Sequence, residues 1–333
     1  MGGKYSKILK VKGIGLLSGG LDSILAVKLI MLQGIDVLGV TFQTPFFSAQ
    51  KARIAAKKIE LPLLTVDITE EHLKMLKAPK YGYGKNMNPC IDCHTLMLNN
   101  AGRIMDYSGA DFIFTGEVLG QRPMSQTKQS LHVVAKNSGY QEYILRPLSA
   151  QLLPETKPEI EGKVDRQKLL TIHGKGRKQQ IEMASRYGIN DYPAPAGGCL
   201  LTDPMFSKRL SDLFTYNKDF RIRDIELLKY GRQFRINEFS KVIVGRNSFE
   251  NEALQKLSEG EDVIIHMTQY PGPTVLVPYG GDDTTLLYAA SLCALYSDAP
   301  KDEEVVALCR TGNASKPITI KAAQREDSQS LMI

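Results

Sequence analysis

The sequence predicts an α/β protein, a doubly wound parallel sheet followed by a second, β-containing domain. Three features carry this expectation. The first part alternates short apolar, β-branched runs with amphipathic helical stretches, the pattern of strands joined by crossover helices. A glycine-rich turn links the first strand candidate directly to the first helix candidate. After about residue 205 the alternation gives way to β-like runs separated by turn signals.

Taken in order, residues 13–17 read as a first strand and 23–33 as a helix closed by Gly34, a residue suited to a left-handed cap. Residues 36–42 form the second strand, and 48–59 a helix with Ser48 as its cap. Residues 63–67 give the third strand, 93–107 a helix, 111–115 the fourth strand and 141–145 a fifth. Ligands of such sheets bind at the carboxyl ends of the strands, so Thr41 and Phe42 are candidates for the lining of a ligand pocket. Residues 150–175 read as a surface excursion before a helix at 177–187, which the Pro- and Gly-rich stretch 192–198 ends. The domains are placed at 1–204 and 205–333, with strands at 241–245, 262–266 and 274–278 and a frayed tail at 326–333.

Composition narrows the class. Apolar residues make up 43% and charged residues 23%, the balance of a globular domain. The polar, basic N-terminus lacks the apolar core of a secretory signal, and no apolar run approaches the roughly 18–20 residues that span a bilayer. A cytoplasmic protein without a membrane partner is expected. A net charge of +6 permits a polyanionic partner. Five cysteines without an export signal argue against a disulfide framework.

The chemistry starts at Gly15-Leu16-Leu17-Ser18-Gly19-Gly20-Leu21-Asp22-Ser23-Ile24. The glycines let backbone N–H groups close on phosphate oxygens, the helix start adds its positive dipole end, and Ser18 and Ser23 can donate hydroxyl hydrogen bonds. Asp22 would repel phosphate unless a cation intervened, which suits it to Mg²⁺. The spacing and lysine of a Walker loop are missing. The segment resembles the SGGxDS loop of the PP-loop ATP pyrophosphatase superfamily. That resemblance implies an adenine nucleotide alpha hydrolase-like fold and cleavage of ATP between its α and β phosphates.

Further segments narrow the resemblance. Thr115-Gly116-Glu117-Val118-Leu119-Gly120-Gln121 with Ser125-Gln126-Thr127 is similar to the TGE-x-x-GQ and SQT elements of the tRNA 4-thiouridine synthetases. Leu145-Arg146-Pro147-Leu148 and Arg177-Lys178-Gln179-Gln180-Ile181-Glu182 resemble their LRPL and RKEQIE segments. The resemblance implies ATP-dependent thiolation of a tRNA uridine: adenylation of the uracil oxygen, then displacement by sulfur. Ser18, Gly19, Gly20, Leu21, Asp22, Ser23, Thr41, Phe42, Gly116 and Gln121 are then the nucleotide-site candidates. Two departures matter. Only a short basic leader precedes the loop, where these synthetases carry tRNA-binding domains, and no rhodanese-like sulfur carrier is found around Cys309.

Cys90 and Cys93 form a CxxC at the start of a helix, where the dipole favours thiolate, and Cys199 follows two glycines. The residues allow a redox pair, a structural zinc site with His94 as fourth ligand, or an iron–sulfur cluster on three thiolates. The pattern resembles cluster-dependent tRNA thiolation enzymes, which implies a 4Fe-4S cluster held by Cys90, Cys93 and Cys199, acting with Asp22 in catalysis. The sulfur donor would be sulfide or a persulfide carrier. Cys293 and Cys309 are expected in the core.

Residues 206–246 interleave cations with aromatics, among them Lys208, Arg209, Tyr216, Arg221, Arg223, Arg232, Arg235, Lys241 and Arg246, a composition that can neutralise phosphates and stack bases. The segments 230–235 and 244–247 resemble RNA-binding domains of ribosome quality-control factors. tRNA is therefore the expected partner, and a homodimer is left open. Two other functions stay in view: a PP-loop synthetase or amidotransferase acting on an adenylated small molecule, and a non-catalytic, zinc-containing RNA-binding protein.

Overall fold

The computed structural model describes residues 10–192 and 198–333. The basic leader before residue 10 and most of the Pro- and Gly-rich breaker stretch lie outside the described residues. The chain divides into two compact units, 1–200 and 201–333.

The first unit is built on a five-stranded sheet in the order β3-β2-β1-β4-β5, with every pairing parallel. Its strands are β1 (Lys12–Leu16), β2 (Asp36–Gln43), β3 (Leu63–Asp67), β4 (Phe112–Thr115) and β5 (Ile144–Leu145). The helices are α1 (Leu21–Met31), α2 (Gln50–Lys58), α3 (Thr69–Lys77), α4 (Cys90–Ser108), α5 (Lys128–Ser138), α6 (Lys157–Ile160) and α7 (Lys178–Arg186). Each face of the sheet has its own core. On one, Ile24, Val27 and Ile30 of α1 and Ala52, Ala55 and Ala56 of α2 pack with Phe112 and Phe114. On the other, Leu98, Ala101 and Met105 of α4 and Val134 and Ala135 of α5 pack with Ile14, Val40, Phe42 and Ile113. This is the doubly wound arrangement expected from the alternation of strands and helices.

The topology fixes where a ligand can enter. Strand order runs outward in both directions from the β1/β4 pair, so the carboxyl ends of these two strands flank the switch-point crevice of a doubly wound sheet. The serine–glycine loop leaves β1 there, and the Thr115–Gln121 segment leaves β4.

Two helices were not expected, α3 and α5, and the α2 cap is Ala49 rather than Ser48. α4 begins at Cys90, so the whole CxxC lies in its first turn.

The second unit is a six-stranded sheet in the order β11-β10-β8-β9-β7-β6, with every pairing antiparallel. Its strands are β6 (Arg232–Arg235), β7 (Lys241–Val244), β8 (Val263–Met267), β9 (Val275–Val277), β10 (Val305–Thr311) and β11 (Ala314–Ile320). Its helices are α8 (Pro204–Tyr216), α9 (Ile222–Leu227), α10 (Ser248–Leu257), α11 (Asp283–Leu295) and α12 (Arg325–Ser330). The apolar α11 buries Ala289, Ala290, Leu292, Cys293 and Ala294 on one face, against Phe234, Val242, Val244 and Val275. Leu254 of α10 covers the other face with Ile243, Ile264 and Leu276. Cys293 and Cys309 are both in the core of this unit, as expected.

The frayed tail is a correction. α12 is followed by residues that pair with β6: Arg235 N–H donates to Leu331 O at 2.9 Å and Ile333 N–H to Gln233 O at 2.9 Å. Ile333 is itself buried. A polar run of sequence concealed an apolar end that completes a sheet edge.

Candidate active site

The loop after β1 has the shape that phosphate binding requires. Gly19 has a φ of +78°, and a Cβ there would sit 2.4 Å from the carbonyl carbon of Lys51, so only glycine fits. α1 starts at Leu21 with Gly20 as its cap residue and no side-chain cap, which leaves its first N–H groups for a ligand. Ser23 Oγ donates to Gly20 O at 2.7 Å and lies 3.3 Å from Ser18 Oγ, so both hydroxyls line the same turn.

The segment after β4 is mated to this loop backbone to backbone. A Cβ on Gly116 would lie 2.5 Å from Ser23 N, too close for any side chain. Gln121 Nε2 donates to Asp22 Oδ2 at 3.2 Å. The other carboxylate oxygen of Asp22 is buried without a hydrogen-bond partner. Burial pushes the Asp22 carboxyl above its ordinary value, while Arg177, Gln121, Arg122 and Gln180 pull the other way. Arg177 Nε and both amide atoms of Gln180 are likewise buried and unpartnered. Unmade hydrogen bonds of this kind cost roughly 1–3 kcal/mol each, and here they gather around the phosphate loop. An orphaned, buried carboxylate oxygen beside a cradle for phosphates fits a Mg²⁺–nucleotide. Arg177 and Gln180 were visible only as part of a helix motif, and nothing in their spacing marked them as site residues.

Thr41 and Phe42 are buried at the carboxyl end of β2, with the Phe42 ring packed in the core beneath α4 and α5.

The three cysteines converge from two segments. Leu200 N–H donates to Phe46 O at 2.9 Å, bringing the residue after Cys199 to the turn that follows β2. The Phe46 ring lies 5.4 Å from that of His72, and His72 Nε2 stands 3.5 Å from Cys93 Sγ. The expectation of a thiolate fails for Cys93. Burial pushes its thiol well up, and Cys199, Cys90 and Asp92 add to the shift, with no cationic side chain among the groups that act on it. Burial therefore outweighs the helix dipole. Cys199 and Cys90 both act against ionisation of Cys93, a donor set that a bound metal would relieve. Among the described residues no three His, Cys, Asp or Glu side chains already stand as a group that could hold a metal ion. The thiols are thus neighbours that have not been drawn in to one centre.

His72, which the sequence did not single out, is fully buried, and burial lowers its imidazole to about 4. It is neutral at physiological pH.

A buried ion network joins the two halves of the site. Glu117 Oε2 accepts from Arg146 Nε at 2.9 Å, and Glu117 Oε1 lies 2.9 Å from His94 Nδ1. Burial alone would push the Glu117 carboxyl up, but Arg146 and His94 outweigh it and bring it down to about 2. The network ties the segment after β4 to the helix turn that carries Cys93.

Residues 9–154 match the family described as thiamine biosynthesis protein (ThiI). Residues 231–332 match the family described as NFACT protein RNA binding domain. A probable tRNA sulfurtransferase of Thermococcus kodakarensis is 33% identical over 146 residues, covering 41% of this chain and 36% of that protein. A tRNA-specific 2-thiouridylase of Syntrophotalea carbinolica is 32% identical over 154 residues, covering 41% of this chain and 43% of its own length. The chain thus spans about two fifths of the length of these curated relatives. A crystal structure of a 4-thiouridine synthetase–RNA complex with bound ATP is 20% identical with a TM-score of 0.34, covering 55% of this chain and 54% of that one. The ThiI-like domain holds the loop after β1, the segment after β4 and the CxxC, while Cys199, Arg177 and Gln180 lie beyond residue 154. Among the described residues no helix is long and apolar enough to cross a membrane.

Proposed function

We propose that the protein is an ATP-dependent tRNA uridine thiolase. The observation that carries this reading is the buried, unpartnered oxygen of Asp22 at the ThiI-like phosphate loop, with Cys93 next in sequence to His94 of the Glu117 network that borders the same loop. Ser18, Gly19, Gly20, Leu21 and Ser23 hold the ATP phosphates, Asp22 the Mg²⁺, and Thr41 and Phe42 border the adenine. Gly116 lets the second segment close on the loop, and Gln121 orients Asp22. Arg177 is placed to offset charge on the phosphates.

The reaction balances without an external oxidant. The uracil oxygen attacks the α-phosphorus of ATP, the α–β P–O bond breaks and pyrophosphate leaves. Sulfide adds at the activated ring carbon, the C–O bond breaks, and AMP departs with the oxygen. The 4-thio product is the one proposed. Cys90, Cys93 and Cys199 are the residues that would hold a 4Fe-4S cluster, which when bound supplies an iron position for sulfide. The second unit, from about residue 205, holds the tRNA. The three thiols, with Cys90 and Cys199 both acting on Cys93, favour this over a synthetase that acts on a small molecule, which would leave them without a task.

The test is anaerobic purification followed by single-turnover assay with tRNA, ATP and sulfide. Brown protein, release of AMP and pyrophosphate, and 4-thiouridine in digested tRNA are expected, with colour and thiolation both lost in Cys90→Ser, Cys93→Ser and Cys199→Ser. Release of ADP and phosphate rules out adenylation. Full activity in metal-free protein rules out the cluster and leaves sulfide attacking the adenylated ring carbon directly, and 2-thiouridine as product moves the reaction to the other ring oxygen.

A further inference from the structure

The second unit contains a cavity of about 370 Å³ that the thiolation chemistry does not use. Its size is at the low end of small-ligand pockets, which run from about 300 to 1,000 Å³, so it suits one nucleotide rather than a longer stretch. Tyr216, Arg221, Arg235, Phe239, Lys241 and Tyr279 are among its walls. Three features of these walls point the same way.

The first is charge. Lys241 and Arg235 reach the cavity from β7 and β6, and Arg209 of α8 lies close enough to act on Lys241. The carboxylate that acts on Lys241 is Asp212 of α8, and Arg235 already occupies it with bonds of 3.0 and 2.6 Å. Lys241 Nζ shares the same carboxylate at 3.6 Å, a long and weak contact beside the two bonds that Arg235 makes. Arg235 keeps spare capacity as well, since its NH1 group reaches only the Asn237 carbonyl, at 3.5 Å. Buried cations in excess of their carboxylates are costly unless an anion completes them.

The second is an aromatic surface held out at the rim. Phe239 is 90% exposed, in the turn between β6 and β7. The turn is ordered: Asn237 Oδ1 accepts from Phe239 N–H at 2.9 Å and from Ser240 N–H at 2.8 Å. An apolar ring exposed on a hydrogen-bonded turn offers a face for stacking.

The third is backbone strain. Tyr279 has a φ of +62°, a conformation that costs a non-glycine residue free energy and tends to occur where a site needs it. It is held by its N–H donating to Asp262 Oδ1 at 2.9 Å and its hydroxyl donating to Asp224 Oδ2 at 2.6 Å. Arg221 lies over its ring, 5.1 Å from the centroid.

We propose that this cavity receives one unpaired nucleotide of the RNA, its phosphate against Lys241 and Arg235 and its base stacked on Phe239. The proposal rests on the reading of the second unit as the RNA-holding part and gives that unit a defined single-nucleotide site. A single-stranded segment is required because a base within a duplex cannot present its face to a side chain.

Burial, with Arg235 and Arg209 beside it and Asp212 opposing them, lowers the Lys241 ammonium to about 7. The other charged groups on the walls are Arg221, Asp219 and Asp224, the last engaged by Tyr279. Below pH 7 Lys241 is charged and favours phosphate; above it the charge is lost.

The test measures binding of the full chain to tRNA and to a single-stranded RNA octamer, for wild type and for Phe239→Ala, Lys241→Met and Lys241→Arg. Loss of a stacked base or of a phosphate contact should weaken octamer binding by about tenfold in the first two variants. Lys241→Met should also lower the slope of affinity against salt by about one, and Phe239→Ala should leave it unchanged. Wild-type affinity should fall between pH 6 and 9, and Lys241→Arg should remove that fall. Octamer binding unchanged in Phe239→Ala, whose exposed ring supports no fold, overturns the nucleotide site while the RNA reading stands. Wild type that binds neither tRNA nor octamer removes the RNA reading itself.

Discussion

Gln121 donates to Asp22 across 99 residues of sequence, a 3.2 Å bond that joins the segment after β4 to the phosphate loop after β1. The bond uses one carboxylate oxygen and leaves the other buried and unpartnered, which makes Asp22 a residue the fold would be better without. Asp22→Asn is therefore expected to melt at or above the wild-type temperature while AMP-forming turnover falls by roughly 10²–10³-fold. Gln121→Ala should cost less, about tenfold. Thermal melts and pyrophosphate release check both, and a large loss of stability in Asp22→Asn would make the residue structural.

Glu117 is the opposite case, a buried carboxylate whose partners make it stabilising. Its folded value near 2 lies below the ordinary 4.5, so its contribution is complete above about pH 5 and is lost as pH falls from there toward 2. Glu117→Gln leaves Arg146 buried without its counter-charge and should cost roughly 3–5 kcal/mol at neutral pH. The gap between wild type and variant should close on acidification. Denaturant melts at pH 7 and at pH 3 decide it: an equal gap at both would show that the charge has no part.

Removal of residues 325–333 should destabilise the second unit. The cut deletes two hydrogen bonds to β6 and exposes the surface under Ile333, together about 3 kcal/mol or more. A melting temperature unchanged by the truncation would restore the frayed end that the sequence suggested.

The fold of the first unit was legible because its strands are short apolar runs and its loop is written in glycine and serine. Residues 63–67 were placed to the residue, and β1, β2 and β4 to within one. α3 and α5 were missed. Both carry a buried stripe at helical spacing, Thr69, His72 and Leu76 in α3 and Leu131, Val134, Ala135 and Ser138 in α5, but the stripes are short and built partly from polar residues in polar segments, which hid them. In the site, the loop and the thiols announced themselves by motif. His72 did not, since a lone histidine in a charged stretch carries no spacing signal, and the pairings of Glu117 with Arg146 and His94 are made only in three dimensions. The cations of the second unit were countable, but not how many are used internally. Arg223 is bound to Asp262 and Arg246 to Glu250, so composition overstated the charge left for a phosphate backbone.

The close approach of Gly116 to Ser23 has a mechanical meaning. Two loops whose main chains touch cannot slide past each other, and Glu117, next in sequence, grips His94 on the first turns of α4 beside Cys93. Position is thereby transmitted without a hinge: under the proposed function, whatever seats on the loop after β1 also sets where the Cys93 thiol stands across the crevice.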